Sequence, residues 1–142
     1  MIEKGIRFGM PFEVAFPKKL VQTGDVVPDT EYQQDRTRPA VQKIDPATGK
    51  RQWKVTVTDP DQPNAKRASF DLIFLADVQP VPDAPELVPG SGVRMIELDG
   101  LTAEPRVMGQ GEFKYLGYTF RAEGYRPVSS QPASRSASGK AA

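Results

Sequence analysis

The chain has 142 residues, 38% of them hydrophobic, and 19 Lys and Arg against 18 Asp and Glu give a formal charge of +1. That length suits one domain with a modest core, and the near-neutral total argues against an overwhelmingly basic nucleic-acid binder. With neither cysteine nor histidine, the chain can form no disulfide, no Cys/His zinc site and no Cys–His or Ser–His nucleophile. The side chain best suited to proton transfer near neutral pH is also missing. A non-enzyme is therefore expected, with no catalytic residue, metal or cofactor. No apolar run approaches the roughly 20 residues of a membrane-spanning helix. The first residues lack the apolar stretch of a secretory signal, so a cytoplasmic protein without a membrane partner is expected.

In chain order, Phe12–Phe16 alternates Phe12, Val14 and Phe16 against Glu13 and Ala15, which predicts a strand. Pro17 and the Lys18-Lys19 pair mark its end, and Leu20–Gln22 continues it beyond a bulge. Thr23–Pro39 holds little apolar material and reads as a long surface loop delivering Arg36 and Arg38 to the base of a hairpin. That hairpin, Val41–Thr58, organises the rest. In Gln52–Thr58, Trp53, Val55 and Val57 alternate with Lys54, Thr56 and Thr58, the pattern of a half-buried strand. Asp45-Pro46-Ala47-Thr48-Gly49 supplies turn chemistry before it, so Val41–Ile44 is expected to pair back as the other arm.

Asp59–Asn64 reads as a turn; it places Pro63 and Asn64 where a calcium loop needs a ligand and an invariant glycine. Ala68–Ala76 is apolar on both faces and predicts a central strand. Val78–Gly92, with Pro80, Pro82, Pro85 and Pro89, reads as an extended surface crossing. Val93–Leu98 predicts a strand and Asp99-Gly100 a turn, while Leu101–Glu104 fits a strand continuation or one helical turn. Gly109-Gln110-Gly111 reads as a hairpin turn into a long aromatic strand, Glu112–Arg126, in which Gly117 suggests a bulge or strong bend. Residues 128–142 form a Ser/Ala-rich tail with no apolar period, expected to be disordered.

Five or six strands with long loops and no amphipathic helix predict an all-β domain over residues 1–127. The order of features fits a small five-stranded barrel of the oligonucleotide-binding (OB) type with a protruding basic hairpin. Charge along the chain is polarised: Arg36–Arg67 carries eight cations and three acids, whereas Asp71–Glu104 carries seven acids and Arg94 alone. The positive stretch coincides with the hairpin, and a single positive face is therefore compatible with the neutral total.

On these residues the sequence resembles the single-stranded-DNA-binding proteins of the filamentous-phage gene V type. Val41–Trp53, with Lys50 and Arg51 after Gly49, is similar to their basic DNA-binding wing. Phe70–Leu75 followed by Asp77 is similar to their central strand, and Val93–Leu98 with the Gly-Gln-Gly turn and the strand to Arg126 is similar to their final hairpin. The loops Thr23–Pro39 and Val78–Gly92 are longer than such compact proteins need, and the tail lacks an acidic tip. The resemblance implies a non-catalytic protein that coats single-stranded DNA during replication or transfer of a phage or plasmid, as a homodimer. RNA stays open as a partner, because no residue identifies a reader of the 2′-hydroxyl.

The candidate phosphate contacts are Arg36, Arg38, Lys43, Lys50, Arg51 and Lys54, extended by Lys114 and Arg121. Trp53 fits either a base-stacking platform or a core indole in phase with Val55 and Val57. If Leu116, Tyr118 and Phe120 face the core, Phe113 and Tyr115 face outward and become the stacking platform. The reading from a different class is a β-sandwich interaction or structural module that binds no nucleic acid. A carboxylate-based hydrolase is the weakest reading, since the acids are scattered over loops.

Overall fold

The fold is built round one apolar strand flanked by two others. In this computed structural model, which describes residues 5–128, the strand β4 (Gln52–Thr58) buries Trp53, Val55 and Val57, as the alternation predicts. It pairs antiparallel over its whole length with β5 (Ser69–Leu75), from Gln52↔Leu75 to Thr58↔Ser69. The expected tail beyond Val128 and the first four residues lie outside the described residues.

The molecule is all-β, with nine strands among the described residues rather than five or six. The excess comes from short pieces and from one hairpin. The strands β1 (Phe8–Gly9) and β3 (Val27–Pro28) are two residues each. The predicted final strand is divided at Glu123 into β8 (Tyr115–Ala122) and β9 (Gly124–Arg126). Between β6 (Arg94–Asp99) and β8, the chain forms β7 (Thr102–Met108), which pairs with β8 through seven successive residues as a long hairpin.

The strand β2 (Leu20–Gln22) lies between β4 and β6, antiparallel to both. Across the sheet β5 meets β8 in parallel, but only at Ile73↔Arg121 and Phe74↔Ala122. One residue further on, β9 leaves β8's course and pairs antiparallel with β6 through Glu97↔Arg126, Leu98↔Tyr125 and Asp99↔Gly124. The sheet is thereby curled on itself into a barrel-like shape. Its interior holds Leu20, Val55, Val57, Leu72, Phe74, Ile96 and Leu98, all buried.

Phe12–Phe16 is not a strand. Phe12–Ala15 forms a single helical turn, α1. The turn sends Phe12 and Phe16 into the core with ring centroids 5.6 Å apart and leaves Val14 exposed. Alternation over five residues places the same two phenylalanines four apart, and that spacing also lies on one side of a helix. A second short helix, α2 (Ala65–Ala68), is capped by Asn64, whose side chain accepts from the Lys66 N–H at 3.0 Å. The turn chemistry of Asp59–Asn64 hides it in the sequence.

Gly117 marks no bulge, because the β7–β8 register stays constant through Arg106↔Gly117. The position instead lacks room: a Cβ there would meet the Met108 sulfur at 2.3 Å. The bend falls at Glu123, where the chain passes from one partner strand to another.

Two polar side chains inside the barrel bond to each other. The Tyr125 hydroxyl donates to Gln22 Oε1 at 2.5 Å, and the Gln22 amide donates to the Gly24 carbonyl at 2.7 Å. Burial pushes the Tyr125 phenol well above its ordinary pKa, so it remains a donor.

Candidate nucleic-acid interface

The predicted hairpin exists only in outline. Its arms are joined by the single bridge Ile44↔Arg51, with a further bridge Thr30↔Gln42 tying the outer arm to the preceding loop. The turn closes through hydrogen bonds from Asp45 N–H to the Lys50 carbonyl and from Gly49 N–H to the Asp45 carbonyl, with Gly49 at φ +73°. It does not project freely. Asp45, the residue expected to open the turn by bonding ahead of itself, is 0% exposed and held by Arg7 through two hydrogen bonds of 2.9 and 2.6 Å. The turn is thus docked by its first residue, while Lys50 and Arg51 remain exposed.

The other cations of this group keep to the same end. Arg36 and Arg38 are exposed on the long β2–β4 connection, and Arg38 lies 3.8 Å from Asp35. Lys43 Nζ is 3.8 Å from Asp29, a buried carboxylate that also accepts from Gln52 Nε2 at 3.1 Å. Lys54 is half-buried on β4, between Val27 of β3 and Ile73 of β5.

Two predicted residues are withdrawn from any groove. Trp53 is 8% exposed and donates its indole N–H to the Ala76 carbonyl at 2.9 Å, which makes it a core indole. Arg121 is paired with Glu104 at 2.7 Å, its side chain 12% exposed, so its charge is already met inside the sheet.

Phe113, Lys114 and Tyr115 sit at the far end, on the β7–β8 hairpin. Phe113 is 85% exposed in the turn before β8 rather than on a shared face with Tyr115. That turn needs Gly109, at φ +87°, because a Cβ would lie 2.1 Å from the Phe113 carbonyl oxygen. The Tyr115 ring lies under the Arg67 guanidinium, 3.8 Å from its centroid. The cationic connection joins the Gln52 end of β4, whereas Tyr115 lies beyond the Thr58 end. The seven-residue ladder separates them by about 20 Å. The outer surface between is polar and includes Asp71, which accepts from Thr56 at 3.2 Å.

The sequence reading missed Lys66, Arg67, Phe70 and Tyr118. They line an opening at the far end, together with Tyr115 and Phe120. A signal was present, since the Leu116–Phe120 stripe runs further than one small core can cover. Among the described residues no group of three or more acids could hold a metal ion, and no helix is long and apolar enough to cross a membrane. Comparison with protein-family models, curated proteins and solved structures finds no match to this chain.

Proposed function

We propose that the protein binds single-stranded nucleic acid, DNA in the first instance, without catalysis and largely without sequence preference. The observation that carries this reading is a circuit of pairings: β2–β4–β5–β8/β9–β6 and back to β2. Every pairing in it is antiparallel except β5 with β8. Taken as five strands, this order agrees with an OB barrel, a fold that binds oligonucleotides with its second and third strands and the loops after its first and fourth. Here those loops are the β2–β4 connection and the β7–β8 hairpin. They carry Arg36, Arg38, Lys43, Lys50 and Arg51 on one side, and Phe113, Lys114 and Tyr115 on the other. A shared fold does not by itself fix function; here the circuit is joined by cations and rings on the two loops that such a fold uses to bind oligonucleotides.

Anisotropy of labelled oligo-dT across salt concentrations tests the proposal. Trp53 is a poor reporter, since it is buried. The double change Lys50→Ala, Arg51→Ala is expected to flatten the log–log salt dependence by about 1.4, at about 0.7 for each phosphate no longer neutralised. Stability should not change, because both side chains are exposed. Absence of affinity at low salt, or an unchanged slope in the double variant, would sink the assignment. The second reading, an interaction module, would then lead. It is favoured by a separate observation: Val14, Val107, Leu116 and Tyr118 are exposed apolar side chains beside or on the β7–β8 hairpin.

A further inference from the structure

We infer that the opening between β5 and β8 is a nucleobase pocket, taking one unstacked base of the bound strand with a flanking phosphate at its mouth. The inference rests on the single-strand-binding reading and names where that strand is gripped.

The opening is a fork. The two parallel strands are joined only at Ile73↔Arg121 and Phe74↔Ala122. Upstream, Ser69–Leu72 has β4 alone as ladder partner and Tyr115–Phe120 has β7 alone. The β5–β8 register holds no residue pair upstream of Ile73↔Arg121. Each strand therefore turns part of its backbone N–H and C=O groups into the gap, where they can meet the hydrogen-bonding edge of a base.

The floor of the gap is aromatic. Phe16, Phe70 and Phe120 form a ring cluster with centroids 4.9 to 6.0 Å apart, and Tyr118 extends it outward, 5.9 Å from Phe120 and 43% exposed. The mouth carries two exposed cations, Lys66 and Arg67, against one carboxylate, Asp59. The Arg67 guanidinium lies over the Tyr115 ring, 3.8 Å from its centroid, so a cation already sits against a ring at this site.

The volume, about 350 Å³, falls at the low end for small-ligand sites. That size and the cations favour a nucleotide over an extended peptide. A peptide strand would need a straight edge at ladder spacing, and these two edges diverge.

The test uses the full chain, labelled oligo-dT, and oligo-dT carrying 2-aminopurine at one position at a time. Tyr118→Leu is expected to weaken oligo-dT binding on the order of 10-fold, as loss of one stacked base does, with the salt slope unchanged. Tyr118→Phe should retain wild-type affinity. At one or more positions the 2-aminopurine emission should change on binding, and Tyr118→Leu should abolish that change. Arg67→Ala should flatten the salt slope by about 0.7. Both side chains are exposed, so folding is not at stake, and matched melting curves check it. Oligo-dT that binds wild type and Tyr118→Leu equally, with no position-dependent emission change, would overturn the pocket and leave single-strand binding standing. No oligo-dT affinity in the wild type would overturn both.

Discussion

Replacing Arg126 with alanine is expected to lower stability by about 3 kcal/mol, at the low end for breaking a buried ion pair. The melting temperature should fall by roughly 10 °C for a domain of this size. Glu97 is the buried partner: its side chain is 2% exposed and faces Arg126 at 2.9 Å and Lys19 at 3.6 Å, and Lys19 remains beside it when Arg126 is removed. Arg126 also pairs with Glu13 and lies over the Phe12 ring, 5.3 Å from its centroid. It therefore fastens β9 both to β6 and to α1. The two halves of the pair are not equivalent. Arg126 is 28% exposed and can turn to water if Glu97 is removed, whereas Glu97 cannot. Glu97→Gln should cost only about 1 kcal/mol, and the double variant should lose less than the sum of the two single losses, because the two side chains share one interaction. Urea unfolding of the two single variants and the double variant measures this. Additive losses would show that Arg126 and Glu97 are not coupled.

The parts of the fold legible in the sequence are those with an unambiguous period. Trp53, Val55 and Val57 can be inward only on a strand, and the run Phe70–Leu75 can only be central. The helical turn at Phe12–Ala15 is not legible because five residues satisfy both periods for a pair spaced by four. The β7–β8 hairpin shows at its turn, since glycine is required at Gly109, but β7 itself is obscured by Pro105 and Arg106. Closure through β9 leaves no trace at all. It depends on where the strand exchanges partners, at Glu123, and no local feature of the sequence records a partner.

The site divides in the same way. Exposed cations next to a turn, such as Lys50 and Arg51, do lie on the surface, because turn chemistry and charge both point there. Arg121 reads identically in sequence but faces Glu104, 17 residues away, and charge patterning cannot find such a pairing. The fork is invisible because it is made where the ladder between β5 and β8 stops, upstream of the pairs Ile73↔Arg121 and Phe74↔Ala122. An absence of pairing leaves no residue type behind, only an aromatic stripe longer than the core it serves.

Arg7→Ala is expected to cost about 3 kcal/mol at neutral pH, because it strands the carboxylate that docks the cationic turn. Asp45 is fully enclosed, and its two oxygens meet Arg7 in a fork, with Thr48 donating from its N–H at 3.1 Å and its hydroxyl at 2.8 Å. The Arg7 hydrogen bonds, against the opposing effect of burial and with help from Thr48, hold the Asp45 carboxyl at about 2. An unfolded Asp titrates near 3.9, so the folded value is depressed. The stabilisation is then complete above about pH 4 and is lost as pH falls toward 2; its size is on the order of 2 kcal/mol. In Arg7→Ala the enclosed carboxyl has no cation, and burial should raise its pKa instead. The variant therefore gains relative stability as acid protonates it, while the wild type loses. The difference between the two proteins should shrink by at least about 1 kcal/mol from pH 7 to pH 3. Urea unfolding at pH 7, 5 and 3 decides the matter. A difference that stays constant with pH would assign the loss to packing of the Arg7 stem, and the turn carrying Lys50 and Arg51 would be held by something other than charge.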